Sequence, residues 1–211
     1  MIGSELLRYA TEQEYVLFDF ETSGLNLFYD VPWQCSFIIC TLDKIIESHD
    51  YYVRWDDLKV SRGAAAVTGF NYEEYKRLAR DPKEVLEIFE GAIRPENRYP
   101  LGHNIIGYDS MIHQAWRRRL GLSADYSYLS RSLDTNALSK AYKKGIPIDR
   151  SNLLAFQFKM LNLHERGLKS SLSTMAKEFG VSFDERDLHK GHKDIELNWR
   201  MWRQLVWKIE I

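Results

Sequence analysis

The chain has 211 residues, of which 45% are hydrophobic and 28% are charged. This composition is typical of ordinary globular domains and excludes a wholly disordered or fibrous protein. The net charge of -1 gives no overall positive field, so any polyanion must be held by a local group of residues. Apolar runs fall short of the roughly 18 residues that a membrane helix needs, and residues 1–14 do not resemble a signal peptide. We therefore expect a cytoplasmic protein with no membrane partner.

The first part of the chain predicts three strands joined by short links. Residues 15–20 form an apolar run interrupted only by Asp19, which is typical of a central strand buried on both faces. Residues 33–42 and 50–55 predict the second and third strands. Because the links between them are short, we expect an antiparallel meander.

Helices and strands alternate in the rest of the chain. Asp81 followed by Pro82 predicts a helix start, since an acidic cap and a proline in the first turn favour one. No proline-rich, glycine-rich or repetitive linker interrupts the pattern, so we expect a single domain over residues 1–211, of the α/β class with a mixed sheet. The further predicted elements are strands at 99–106 and 132–134 and helices at 109–120, 135–142, 172–179 and 195–206.

Several carboxylates lie in apolar surroundings, where a charge is costly unless it is paired or binds a metal. Asp19 and Glu21 are two residues apart on a predicted strand, so their side chains point to one face, unless the strand ends at Phe18 and both are solvated loop residues. Asp109 opens a predicted helix, and taken alone it is better explained as a helix N-terminal acid favoured by the helix dipole than as a site residue. His189 lies five residues before Asp194, a spacing that favours a loop position for the histidine.

Three segments that contain these residues resemble, in order, the three motifs of the DEDDh, or DnaQ-like, 3′–5′ exonucleases. They are Phe18 to Leu25, Gly102 to Asp109, and His189 to Asp194. The resemblance implies a ribonuclease H-like three-layer α/β/α sandwich with a central mixed five-stranded sheet. It also implies a hydrolase that removes nucleotides from the 3′ end of a nucleic acid.

The resemblance further implies a catalytic centre with two Mg²⁺ or Mn²⁺ ions. Carboxylate oxygens are the ligands that such hard cations prefer. His189 would be the general base, with His192 as its rival, since a histidine pKa near 6.5 suits that task. The implied metal ligands are Asp19, Glu21, Asp109 and Asp194.

Other motif residues are expected to contact the substrate. By the same resemblance, Leu25 would be wedged between the last bases, and backbone groups beside it would lie near the terminal sugar. Asp134 occurs where relatives also carry an Asp-Thr pair, but we expect it to cap the following helix. The implied substrate-binding residues are Thr22, Ser23, Gly24, Leu25, Asn104 and Tyr108.

The leading hypothesis is therefore a metal-dependent exonuclease that releases nucleoside 5′-monophosphates from single-stranded DNA 3′ ends. An exoribonuclease with the same chemistry is the first alternative, and a non-catalytic nucleic-acid-binding module on this fold is the second. Nucleic acid is the expected partner, and the sequence leaves open whether a polymerase or another replication or repair protein binds as well. The basic runs at 117–119 and 143–144 can track a phosphate backbone or be solvated helix ends.

Overall fold

The computed structural model describes residues 5–188 and 190–211. Its centre is a five-stranded sheet in the order β3-β2-β1-β4-β5. β1 pairs antiparallel with β2 and β2 with β3, whereas β1 pairs parallel with β4 and β4 with β5. The sheet is therefore mixed, as the sequence predicted. The strands are β1 (Glu14–Thr22), β2 (Pro32–Cys40), β3 (Ile45–Tyr52), β4 (Arg98–Gly102) and β5 (Leu133–Asp134).

Helices cover both faces of this sheet, which confirms the three-layer α/β/α sandwich. The Phe18 and Phe20 side chains of β1 pack in the core that contains Phe89 of α3 and Trp116 of α4. The opposite face of β1 packs in a second core, to which α5, α7 and α8 contribute. The helices are α1 (Arg62–Thr68), α2 (Tyr72–Leu78), α3 (Pro82–Ile93), α4 (Asp109–Arg119), α5 (Thr135–Lys144), α6 (Leu153–Leu161), α7 (Leu172–Glu178) and α8 (Gly191–Leu205).

The alternation of β1 places Asp19 and Glu21 on the face that α8 covers. Tyr15 and Leu17 lie in the core beneath α8, and Asp19 and Glu21 continue the same row of alternate residues. The strand runs to Thr22, so the alternative that it ends at Phe18 is wrong.

Two predicted strands differ in their bounds by more than two residues from the structure. β3 begins at Ile45 rather than at residue 50, because an edge strand with one solvated face carries polar residues that mask its pattern. β4 ends at Gly102 rather than at residue 106. Asn104 has a φ of 69°, and the Asp134 carboxylate accepts the amides of Asn104 and Ile106, so these residues form a turn instead of a strand.

The sequence pattern does not predict α1 and α2. No residue of α1 is buried, and Tyr75 is the buried residue of α2, so neither helix presents the apolar stripe on which a helix prediction rests. The signal that could have found them is capping, since Ser61 and Asn71 accept hydrogen bonds from the first-turn amides. Among the described residues, no helix has the length and apolar character needed to cross a bilayer.

Candidate active site

Three carboxylates meet where the carboxyl end of β1 faces the first turn of α8. Asp19 and Glu21 come from β1, and Asp194 comes from α8. One carboxylate oxygen from each lies within 4.8 Å of the others. The structure therefore brings together three of the four acids that the sequence analysis grouped.

Asp109, the fourth acid, approaches from the opposite helical layer. It is the first residue of α4, and its Oδ1 atom accepts a hydrogen bond of 3.0 Å from the amide of Phe20, the residue between Asp19 and Glu21. The side chain is buried, and its charge contributes to raising the pKa of Glu21. Asp109 thus borders the cluster while one of its oxygens is engaged by the backbone.

The cluster is strongly unfavourable to negative charge. Burial, with the nearby Asp194 carboxylate, raises the pKa of Asp19 to about 7. Burial and the charges of Asp19, Asp194 and Asp109 raise the pKa of Glu21 to about 9. Without a counter-ion Glu21 retains its proton at neutral pH and Asp19 is only partly ionised, whereas a cation in contact with them would favour their ionised forms.

This donor set fits a hard divalent cation. All of the side chains in the cluster offer carboxylate oxygens, which Mg²⁺ and Mn²⁺ prefer over nitrogen or sulfur ligands. The buried acids also gain most from a positive charge, because desolvation is the largest cause of their raised pKa values. The residues present are therefore suited to hold the metal that the sequence resemblance implies.

A neighbouring carboxylate, Asp50 of β3, was not found from the sequence. Its Oδ1 atom accepts hydrogen bonds of 2.7 Å from the side chains of both Gln34 and Ser36. His192 lies on its other side, with 3.8 Å between the His192 Nδ1 atom and the Asp50 Oδ2 atom. Gly191 packs directly on Ser36, and a Cβ atom at position 191 would lie 3.2 Å from the Ser36 Cβ atom. These contacts fix the first turn of α8 against the sheet.

The predicted substrate-binding segment after β1 is connected to the loop before α4. The Thr22 Oγ1 atom lies 2.7 Å from the Gly24 carbonyl oxygen and 2.8 Å from the Tyr108 hydroxyl group. The same hydroxyl group lies 2.9 Å from the Gly24 carbonyl oxygen. Ser23 donates a hydrogen bond to Asp30, and the Leu25 side chain is 86% exposed. The two motif segments therefore form one connected surface.

A pocket of about 280 Å³ opens beside Asp19 and Asp194. Its wall includes His103 and Asn198, two residues to which the sequence analysis gave no role. Burial lowers the pKa of His103 to about 4, so its ring is neutral at physiological pH, and its Nδ1 atom lies 3.0 Å from the Thr135 Oγ1 atom. His103 belongs to the second motif segment, which was the signal that could have identified it.

Asp134 does cap α5, as predicted, and does more. Its carboxylate accepts the amides of Asn136 and Ala137 and also those of Asn104 and Ile106. It thereby fixes the turn that leads into Asp109.

His189 lies outside the described residues, so its role as general base stays a prediction.

The two basic runs contain cations that pair with acids of this chain. In the first basic run, Arg117 is nearly buried and pairs with Glu90. In the second, Lys143 pairs with Glu178. These two pairings occupy both cations within the fold.

The structure resembles zinc-bound E. coli exonuclease I in complex with single-stranded DNA, with a TM-score of 0.72 and 17% identity over 92% of this chain and 40% of that chain. It also resembles E. coli exonuclease I bound to a dA16 oligonucleotide, with a TM-score of 0.71 and 16% identity over 93% of this chain and 41% of that chain. The chain thus spans about two fifths of these relatives, and the likeness concerns the fold. A search of curated protein sequences finds no significant match.

The sequence itself matches one family model. That model is described as "Exonuclease", and it covers residues 16–201, from β1 to α8. The matched range contains the three clustered acids, the neighbouring Asp109, and the segments that resemble the DnaQ-like motifs. The chain therefore belongs to the exonuclease family, within the DnaQ-like group of ribonuclease H-like proteins.

Proposed function

We propose that residues 1–211 form a single exonuclease domain that hydrolyses single-stranded DNA from its 3′ end in a metal-dependent reaction. The observation that carries this proposal is the meeting of Asp19, Glu21 and Asp194, whose carboxylate oxygens lie within 4.8 Å of one another. Membership of the exonuclease family supports a phosphodiester substrate. Each turnover would release one nucleoside 5′-monophosphate and leave a 3′-hydroxyl group on the shortened strand.

The four acids would hold two Mg²⁺ or Mn²⁺ ions. Asp19, Glu21 and Asp194 would bind one ion, and Asp19 together with Asp109 would bind the other. When bound, such a pair of ions stabilises the charge on the attacking and leaving oxygens of an in-line displacement at phosphorus. The chain's part is to hold the ligands in place, which the Asp109 to Phe20 hydrogen bond and the packing of α8 on β2 both favour.

We propose His189 as the general base that takes a proton from the attacking water. The P–O3′ bond then breaks, and the leaving 3′ oxygen takes up a proton. His192 is the less suitable base because its ring is directed to Asp50, at 3.8 Å.

The segment from Thr22 to Leu25 would hold the terminal nucleotide. The hydrogen bonds among Thr22, Gly24 and Tyr108 fix this backbone, and they leave Leu25 projecting into solvent at its end. Asn104 would support the same surface through the turn before α4. A wedge at Leu25 favours an unpaired base, because unpairing and unstacking a base costs a few kcal/mol. E. coli exonuclease I, a relative in fold, has been solved with single-stranded DNA, which supports the same substrate here.

The direct test is digestion of matched single- and double-stranded DNA and RNA that carry a 5′ label, with Mg²⁺, Mn²⁺ or a chelator. A descending ladder from single-stranded DNA, absent with the chelator and in Asp19→Asn, is the expected result. Immediate release of the label as a mononucleotide, or cutting of a circular single strand, would contradict the proposed direction. Faster digestion of RNA would favour the exoribonuclease, and binding without cleavage would favour the non-catalytic module.

A further inference from the structure

The loop between β1 and β2 presents three large apolar side chains to solvent. Leu25 is 86% exposed, and Phe28 and Tyr29 are each 81% exposed. Among the described residues these are the most exposed large apolar side chains, and the next, Tyr9, is 57% exposed. Two aromatic rings this exposed lose the stabilisation that burial gives, so a cluster of them marks a surface that a partner covers.

The exposure does not arise from a frayed loop. The Asp30 carboxylate accepts hydrogen bonds of 2.8 Å from the Ser23 hydroxyl group and 2.6 Å from the Asn26 amide. The Asn26 side chain in turn accepts the amide of Phe28 at 3.0 Å. The Ser23 amide also donates to the Val31 carbonyl oxygen, which closes the base of the loop. The backbone that carries both rings is therefore held in place before any partner binds.

The loop adjoins the proposed catalytic centre and carries positive charge beside it. It leaves β1 directly after Glu21 and Thr22. The exposed Arg118 donates a hydrogen bond of 3.4 Å to the Leu27 carbonyl oxygen. The exposed Arg62 follows Ser61, whose amide donates to the Ser23 carbonyl oxygen at 2.8 Å. Flat apolar rings next to arginines match a nucleic-acid strand, whose bases stack on rings and whose phosphates attract cations.

We propose that Phe28 and Tyr29 form a stacking platform for the bases that precede the 3′-terminal nucleotide of a single strand. The proposal rests on the proposed function and extends it beyond the terminal nucleotide held at Thr22 to Leu25. Arg118 and Arg62 lie where they attract the phosphates of the same strand. A duplex cannot use the platform, because its bases are already stacked on one another and paired. The platform therefore selects single strands of several nucleotides over both duplexes and isolated nucleotides.

The test compares a long and a minimal substrate. The long one is a single-stranded 15-mer, and the minimal one is the p-nitrophenyl ester of thymidine 5′-monophosphate, which has no preceding base. For the Phe28→Ala/Tyr29→Ala variant we expect KM on the 15-mer to rise about tenfold to a hundredfold, as the loss of base stacking implies. Hydrolysis of the ester should stay within about twofold of wild type.

Two controls separate stacking from other causes. Phe28→Tyr/Tyr29→Phe keeps both rings flat and should retain the wild-type KM. Trp207→Ala removes a 54% exposed ring beyond the end of α8, about 20 Å from Asp194 at 1.5 Å per helical residue. This variant should change neither the KM for the 15-mer nor the hydrolysis of the ester. An unchanged KM for the 15-mer in Phe28→Ala/Tyr29→Ala would overturn the platform. A wild-type dimer that this variant disrupts, with KM unchanged, would assign the surface to self-association instead.

Failure of the proposed function gives a different result. Binding of a fluorescein-labelled 15-mer, measured by anisotropy with Ca²⁺ in place of Mg²⁺, reports the platform without cleavage. A wild type that cleaves neither substrate but binds the 15-mer tenfold or more tightly than Phe28→Ala/Tyr29→Ala supports the platform and overturns the exonuclease. Equal binding by both proteins overturns the platform whatever the activity.

Discussion

The Asp109 carboxylate accepts the amide hydrogen of Phe20 at 3.0 Å, so an acid of α4 is bonded to the backbone between Asp19 and Glu21. The parallel pairing of β1 with β4 extends along β1 only as far as Leu17. Beyond that point the Phe20 amide has no partner strand on that side, and the Asp109 side chain replaces one. Where the pairing of β1 with β4 ends, this hydrogen bond connects α4, in one helical layer, to the part of β1 that carries the acids facing α8 in the other layer.

Removing one clustered acid should abolish activity without harming the fold. For Asp19→Asn and Asp194→Asn we expect cleavage to fall by at least about 100-fold, because a metal ligand is lost. Thermal stability in a chelator should be unchanged or higher, since burial and like charges disfavour these carboxylates. Cleavage assays and melting curves check both effects, with the exposed acid Asp43→Asn as the control. Substantial Mg²⁺-dependent cleavage by Asp19→Asn would contradict the site.

The metal-free protein should lose stability as the pH rises. The folded pKa values of Asp19 and Glu21, about 7 and about 9, lie above the ordinary carboxyl range. Their contribution is therefore complete below about pH 4 and is lost as the pH rises through the folded values. Denaturant unfolding in a chelator between pH 5.5 and pH 9 should show this decline.

The same experiment has two internal controls. Asp19→Asn/Glu21→Gln should flatten the pH dependence, because neither replacement titrates. Saturating Mg²⁺ should flatten it as well, since a cation then takes the place of the protons. A stability that rises over this range in wild type would show that the two acids are not buried together without a counter-ion.

Asp19 and the Asp81 helix cap could be predicted because their signals are local. Asp19 interrupts an apolar run, and Asp81 precedes Pro82 at the start of a helix. The Asp81 side chain accepts hydrogen bonds from the first-turn amides of that helix. The role of Asp134 could not be predicted in full, because its carboxylate binds the amide of Asn104, which lies 30 residues earlier. Asp50 was missed for the same reason, since its partners Gln34 and Ser36 come from the adjacent strand.

The two histidines near α8 should differ in their kinetic effect. We expect His189→Ala to lower kcat by roughly 10²-fold to 10⁴-fold, the range for a lost general base, with little change in KM. His192→Ala should lower kcat far less. Steady-state kinetics over a pH series distinguishes them, because only the loss of the base should remove the acidic limb of the profile. If the two variants exchange these effects, His192 is the base.

Asp134→Asn should destabilise the protein and weaken metal binding together. The side-chain amide of this variant has one acceptor oxygen, whereas the two carboxylate oxygens accept hydrogen bonds from the backbone amides of Asn104 and Ile106. One buried backbone N–H group therefore loses its partner, at a cost of about 1–3 kcal/mol. Because the affected turn leads into Asp109, more Mg²⁺ should be needed for half-maximal activity. The matched control is Asp149→Asn, an exposed acid that accepts the amides of Ser151 and Asn152. An unchanged Mg²⁺ requirement would show that the turn does not position Asp109.

The contact of Gly191 with Ser36 would make the choice of the proposed metal ion depend on core packing. The first turn of α8 rests on β2 with no room for a methyl group at position 191, and Asp194 lies in that turn. The gap between Asp194 and the carboxylates of Asp19 and Glu21 therefore depends on Gly191, which has no side chain to bind a ligand. A larger side chain there would widen the gap and favour larger cations over Mg²⁺, whose short oxygen bonds tolerate little expansion. A substitution at position 191 would thus alter the proposed metal preference while leaving every acid unchanged.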